Sequence, residues 1–264
     1  DEFVMPAKHF QCAVRRRLRL SAPGWCRAFH GGSSSTQCQH QYPSGKICGA
    51  ELDLYGRHAG QCMVGGLVAR WHDELKDWLN GWIAEMTQRP VAAKPEPYVP
   101  EWNYTVKHRN GTEEEVKAKL DGGFHLRNGR RAYHDVVIAS AWSTNAQVLH
   151  DRSRTQGLAA EEWVERKHGL YKPEKHPSAT LWAFAVESLG CPSDEALLLL
   201  KTLAPSDPAE RARVLKEAHY QMSIIIAMRQ AELLMAAEGT SLYGRAPSKF
   251  GMKTLQAALD PPQS

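Results

Sequence analysis

The chain has 264 residues, 42% hydrophobic and 23% charged, with a formal net charge of +4. That composition suits a soluble globular protein with a real core. It excludes a membrane-spanning helix, since no apolar run is long enough, and a small disulfide scaffold, since six cysteines are too sparse at this length. The mild basic excess is compatible with nucleic acid without arguing for it.

The N-terminus starts on acids, with no initiator Met and no signal peptide, and reads as a fragment of something longer. A short helix is expected over Phe10–Leu20, broken at Pro23-Gly24. Its Arg15, Arg16, Arg17 and Arg19 suit a solvated face, or phosphate contacts. GGSSSTQ, residues 31–37, reads as a linker, so 1–37 forms a basic N-terminal segment and linker.

Residues 38–65 carry Cys38, Cys48, His58 and Cys62 in a C-x9-C-x9-H-x3-C pattern. Three thiolates and an imidazole suit tetrahedral zinc, and His-x3-Cys puts two ligands on one helical turn. The first spacing exceeds the usual two to four residues. The plainer alternative is unrelated buried cysteines beside a surface histidine. Cys26 and His30, one turn apart, are reserve ligands.

From Gly66 to about Met86, Leu67, Val68, Trp71, Leu75, Trp78, Leu79, Trp82, Ile83 and Met86 recur at a helical period. The Pro-rich AAKPEPYVPEW must be extended. Alternation over Val116–Asp121 predicts a strand, and Asn128-Gly129 a hairpin. Val136-Val137-Ile138, inside Tyr133–Ala139, predicts a central strand covered on both faces, with Asp135 just before it. Ala159–Leu170 reads as a helix whose apolar stripe, with Trp163 and Val164, includes Lys167. An inward lysine needs acidic partners, or else it snorkels to water. Thr180–Val186 predicts a second buried strand, Asp194–Ala204 a helix capped by Ser193, and Asp207-Pro208-x-Glu210 the start of a helix reaching Glu238 and stopping at Gly239. The tail beyond it is expected to be mobile.

The order of these motifs is a Cys-Cys-His-Cys knuckle, a Gly-Gly-x-x-x-Arg-x-His helix, an acid near a turn, Asp-Val-x-Ile, a helix bearing Lys and Tyr, then F-x-V-x-S-L-G. It resembles the restriction-like endonuclease domain of site-specific non-LTR retrotransposon proteins, within the PD-(D/E)xK nuclease superfamily. The resemblance covers roughly 38–190. It implies an α/β fold: a restriction-endonuclease-like core over 66–190 with a central mixed sheet flanked by helices, a zinc knuckle over 38–65, and a C-terminal helical extension over 191–264. Carried over by position, Cys38, Cys48, His58 and Cys62 match the knuckle. Arg70 and His72 match an Arg-His-Asn helix in which Trp71 is inserted and Asp73 replaces Asn. Asp121 matches the acid of the Pro-Asp motif, with Leu120 in place of proline. Asp135 matches the second acid, and Lys167 and Tyr171 the displaced lysine and tyrosine, with Leu170 in place of a second lysine.

The implied chemistry is phosphodiester hydrolysis. Asp121 and Asp135 would hold Mg²⁺ or Mn²⁺, a carbonyl near Val137 adding a ligand and Glu96 or Glu101 completing the shell. Lys167 would position the water or stabilise the oxyanion, and Tyr171 would orient Lys167 or touch the phosphate. Arg70, His72, Arg130 and Arg131 would touch nucleic acid. The expected partner is DNA, with RNA second and no membrane, in the nucleus or elsewhere inside the cell. The activity would nick target DNA for reverse transcription by a larger polyprotein carrying a reverse transcriptase. One alternative is a catalytically degenerate, zinc-containing nucleic-acid-binding module. Another is a structural protein that assembles through the helix after Pro208.

Overall fold

The computed structural model describes residues 5, 7–17, 37–53 and 56–239. Arg19, Cys26, His30, most of the GGSSSTQ linker and the tail after Gly239 lie outside the described residues. The chain forms two compact units, one of residues 72–224 and one of 1–71 with 225–264, the boundaries falling inside two helices.

The 72–224 unit is built on a three-stranded mixed sheet whose strands lie in chain order, Gly122–His125 (β3), Arg131–Ala139 (β4) and Ala179–Glu187 (β5). Strand β3 (Gly122–His125) and β4 (Arg131–Ala139) form the hairpin expected at Asn128-Gly129. There Leu126 N–H bonds the Arg130 carbonyl at 2.9 Å, and Gly129 takes φ +81°, a conformation that favours glycine. Strand β5 (Ala179–Glu187) runs parallel to β4 along its full length. The Val136-Val137-Ile138 run is therefore central, as its unbroken apolar character requires.

Each face of β4 has its own cover. Val137 and Ala139, with Ala183 and Ala185 of β5, pack under Ala159, Ala160, Trp163 and Val164 of helix α4 (Leu158–Tyr171). Tyr133, Leu181 and Tyr171 join Trp102, Val99 and Leu120 in a second cluster. The even-numbered His134 bonds Asn80 of helix α2 (Leu67–Thr87), and Trp78 of that helix meets Phe184. Helix α5 (Asp194–Leu203) starts at Ser193, whose hydroxyl accepts from Ala196 N–H as predicted. Glu195 then ties three elements together, accepting from Ala183 N–H at 2.7 Å and from His168 at 2.7 Å. Helix α6 (Pro208–Ala237) opens with Asp207 accepting from Glu210 N–H, and Gly239, φ +72°, follows its end.

Two local expectations are corrected. The alternation over Val116–Leu120 is not one strand. A separate hairpin of β1 (Tyr104–Lys107) and β2 (Glu113–Val116) precedes it, and residues 118–120 bond the proline-rich segment. Val99 N–H reaches the Ala118 carbonyl and Leu120 N–H the Pro97 carbonyl, both at 3.0 Å. Prolines 95, 97 and 100 donate nothing, so no regular ladder continues there. The connector after β4 holds a helix the periodicity does not announce, α3 (Ala146–Arg154), capped by the Asn145 side chain and with no buried residue.

In the other unit, α1 (Ala7–Arg17) begins three residues before the expected Phe10–Leu20 helix, whose last three residues lie outside the described residues, and buries Cys12 against Ala231 and Met235. A turn at 42–45 brings Cys38–Gln41 alongside Ile47–Glu51. No helix among the described residues is long and apolar enough to cross a membrane.

Gly122 and Gly129 give a contrasting test. A side-chain carbon at Gly122 would overlap the His134 imidazole and the Asn80 amide oxygen, whereas one at Gly129 meets nothing and suffers only from the backbone angle. Gly122→Ala is expected to destabilise by about 1–3 kcal/mol and Gly129→Ala by about 1 kcal/mol, measured by denaturant unfolding. Equal losses would contradict the close approach.

Candidate functional site

Two separate clusters gather the chemically capable side chains. In the first, Cys38, Cys48, His58 and Cys62 place their ligand atoms within 4.8 Å of one another. Cys38 Sγ lies 3.8 Å from Cys62 Sγ, and Cys48 Sγ lies 3.3 Å from His58 Nε2. Among the described residues this is the one group of three or more such ligands gathered this tightly.

The local chain explains the unusual spacing. Cys38 N–H bonds the Ala50 carbonyl and Gly49 N–H bonds the Cys38 carbonyl, so a hairpin brings the first two cysteines together in place of a short knuckle. Asp53 accepts from Arg57 N–H at 2.8 Å and fixes the turn before His58. His58 and Cys62 flank a single 3₁₀ turn, Ala59–Gln61. Burial pushes the Cys38 and Cys62 thiols up, while the Ala50 N–H draws Cys48 down. Sulfur this buried ionises readily only against a cation. The four could hold a metal ion such as zinc, matching its preferred donors.

The second cluster is in the 72–224 unit. Asp121 precedes β3 and Asp135 sits within β4, both about 6% exposed. They are near enough for the Asp121 charge to act on Asp135. Asp135 ion-pairs with Lys167, whose ammonium lies 5.5 Å from the Tyr171 ring centroid. Tyr171 is buried, and burial, joined by the Asp135 charge, raises its pKa. Lys167 is thus inward on its helix and paired, not snorkelling to water. Burial, joined by the Asp121 charge, lifts Asp135 to about 6 against the pull of Lys167. Burial acts the same way on Asp121, but hydrogen bonds from His72 and the Val136 N–H prevail and hold it below the ordinary range. Two adjacent carboxylates pushed in opposite directions is an arrangement frequent at functional sites.

Helix α2 supplies the remaining partners. His72 Nε2 lies 3.1 Å from the Val136 carbonyl and 3.4 Å from Asp121 Oδ2, so this nitrogen carries the donated proton. Asp73 lies 3.6 Å from the other ring nitrogen, and the bond to Asp121 raises the His72 pKa. One turn on, Lys76 Nζ reaches Asp73 at 3.1 Å, Glu96 at 3.2 Å and Asp121 Oδ1 at 3.8 Å. Asn80 donates to the Asp121 carbonyl and accepts from His134, which burial holds neutral with a pKa near 4.

Asp121, Asp135, Lys167 and Tyr171 therefore converge, and Glu96 joins them through Lys76. Glu101 is exposed on a 3₁₀ turn, close enough to Tyr133 to influence it. Arg70 is exposed on α2. Arg130 donates to the Pro177 and Ala179 carbonyls, and Arg131 lies over the Tyr133 ring, both remaining exposed. Lys76 and Asn80 are the residues the sequence reading missed. Their signal was the i, i+4, i+8 spacing His72, Lys76, Asn80 on one helix edge.

The chain matches no protein-family model and no curated protein.

Zinc analysis tests the first cluster. The native protein is expected to carry about one equivalent, lost to a strong chelator and lost in Cys62→Ser, with unfolding at lower temperature in both cases. Native protein without zinc, or zinc that survives Cys62→Ser and Cys38→Ser, would contradict the assignment.

Proposed function

We propose that the 72–224 unit is a restriction-endonuclease-like core that cleaves phosphodiester bonds in DNA with Mg²⁺ or Mn²⁺, and that the Cys-His cluster is a structural zinc site. The observation that carries this reading is the convergence of Asp121 and Asp135 with Lys167 across the β4–α4 contact. The resemblance described from the sequence names these same residues.

The donor set suits a hard cation. Two carboxylates and the Val136 carbonyl offer oxygen, and the other positions would fall to water, as Mg²⁺ prefers. A bound cation would acidify water and offset charge on the phosphate. The chain's own residues do the rest. Asp121 and Asp135 orient the cation site on rigid β-structure. Lys167, held to Asp135, sits where an ammonium can steady the attacking water or the developing oxyanion. Tyr171 walls the lysine and limits its rotamers. In the retroelement setting the product is a nick whose 3′ end primes reverse transcription, with DNA as substrate and a polymerase elsewhere in the polyprotein.

A second reading is favoured by one observation. Each carboxylate already meets protein donors, Asp135 on Lys167 and Asp121 on His72 and Lys76. A catalytically silent nucleic-acid-binding module would look the same.

Supercoiled plasmid incubated with zinc-loaded protein and Mn²⁺ separates the two. Open circles are expected with the wild type, and a loss of about 10²–10³-fold with Asp135→Asn and with Lys167→Gln, the folds intact by circular dichroism. Salt-dependent DNA binding without nicking at any Mg²⁺ or Mn²⁺ concentration would select the binding module.

A further inference from the structure

The placement of His72 and Lys76 is not required by the fold of the sheet. Both belong to one helix edge, and both address Asp121 from the same side. His72 reaches Oδ2, which also accepts from the Val136 N–H at 2.7 Å, and Lys76 approaches Oδ1, so α2 addresses both carboxylate oxygens. His72 also takes the Val136 carbonyl, at 3.1 Å. These are two of the three oxygen groups that a hard cation would use in the proposed site.

The supporting geometry keeps the pair in place. Asp73 flanks the far nitrogen of His72 and also pairs with Lys76, while Glu96 fixes the ammonium from the opposite side. The Lys76 side chain is only 12% exposed, so its charge is poorly screened by water and is felt strongly at Asp121. Asn80 continues the edge by anchoring the Asp121 backbone carbonyl. Helix α2 thus supplies a proton donor and a cation at a buried carboxylate that would otherwise be costly to keep ionised.

Resting on the nuclease reading above, we propose that His72 and Lys76 are positioning residues that clamp Asp121 in the cation-free protein and compete with the divalent cation for it. Binding requires His72 to release Asp121 Oδ2 and the Val136 carbonyl, and requires the site to accept a dication beside the Lys76 ammonium. The clamp weakens cation affinity and keeps Asp121 ionised and oriented until a cation arrives.

Mn²⁺ binding to zinc-saturated protein, read by the loss of the free-ion EPR signal, tests this without any turnover. Binding that vanishes in Asp135→Asn identifies the site. His72→Ala and Lys76→Met are each expected to bind Mn²⁺ about tenfold more tightly than wild type, as removal of a nearby competing charge predicts. Lys76→Arg, which keeps the charge, should stay near wild type. The variants should also melt lower without Mn²⁺ and gain more melting temperature from it, by linkage. A merely structural role would lower melting equally with and without Mn²⁺. Wild-type binding with equal or weaker affinity in both His72→Ala and Lys76→Met overturns the clamp and leaves the nuclease reading intact. A wild type that fails to bind, with variants that do, supports the clamp. Absence of Asp135-dependent binding in the wild type and both variants overturns the clamp together with the cation-dependent function.

Discussion

A carboxylate placed in the middle of a covered strand is the constraint from which the 72–224 unit follows. Asp135 points to the same side of β4 as Tyr133 and Val137, where α4 closes over the sheet. An ionised acid there is expensive unless a cation meets it. Lys167 meets it from the one stripe of α4 that faces inward, so helix and strand must keep their register for the charge to be tolerated. The parallel pairing of β4 with β5 and the ties made by Glu195 hold that register. A second acid, Asp121, is then added beside the first, and its charge is balanced from the other face by α2. The arrangement stores two charges of one sign in a place water barely reaches, with donors distributed around them. Stability alone gives little reason for that, since apolar residues of similar volume would serve the core as well. The proposed role, in which the site receives a cation and a phosphate, would give a direct reason.

The other unit meets a different need. Its hydrophobic cluster contains Cys38, Leu52, Ala59, Cys62, Leu234 and Ala237, so two sulfurs are part of the core itself. A segment as short as 37–62 has little apolar surface of its own to bury. Four side chains that could hold a metal, brought together by a hairpin and a 3₁₀ turn, would supply the missing cross-links, and metal binding would then be inseparable from folding there.

Elements with a strong period were legible in the sequence. The α2 and α4 helices, the Asn128-Gly129 hairpin and the central and following strands appear where their patterns put them. Lys167 was readable as an inward residue because helical geometry fixes which positions share a face. What escaped were features set by partners distant in sequence. Strand β2 is exposed and charged and has no alternation to display, and β1, which alternates over Tyr104–Lys107, is only four residues long. Helix α3 buries nothing and shows only its Asn145 cap. Lys76 drew no expectation, since two of its three acids, Glu96 and Asp121, lie far along the chain from it and only Asp73 is near. Arginines were the least legible. Arg130, expected to touch nucleic acid, also donates to backbone carbonyls at the start of β5, and Arg127, for which nothing was expected, donates to those at the end of α5. Composition cannot separate a capping arginine from a free one, because both are surface residues. The C-x9-C spacing fell outside familiar knuckles for a similar reason, since a hairpin shortens distance in a way that sequence separation does not reveal.

The central claim is that Asp121 and Asp135 form one cation site flanked by Lys167. Crystals soaked in Mn²⁺ and measured near the manganese absorption edge test it most directly. The account predicts an anomalous peak between the two carboxylates, distinct from the zinc at the Cys-His cluster, with His72 swung away from the Val136 carbonyl. A map with full Mn²⁺ exposure, the Cys-His site filled, and no peak at the carboxylates while His72 keeps its bonds would contradict it.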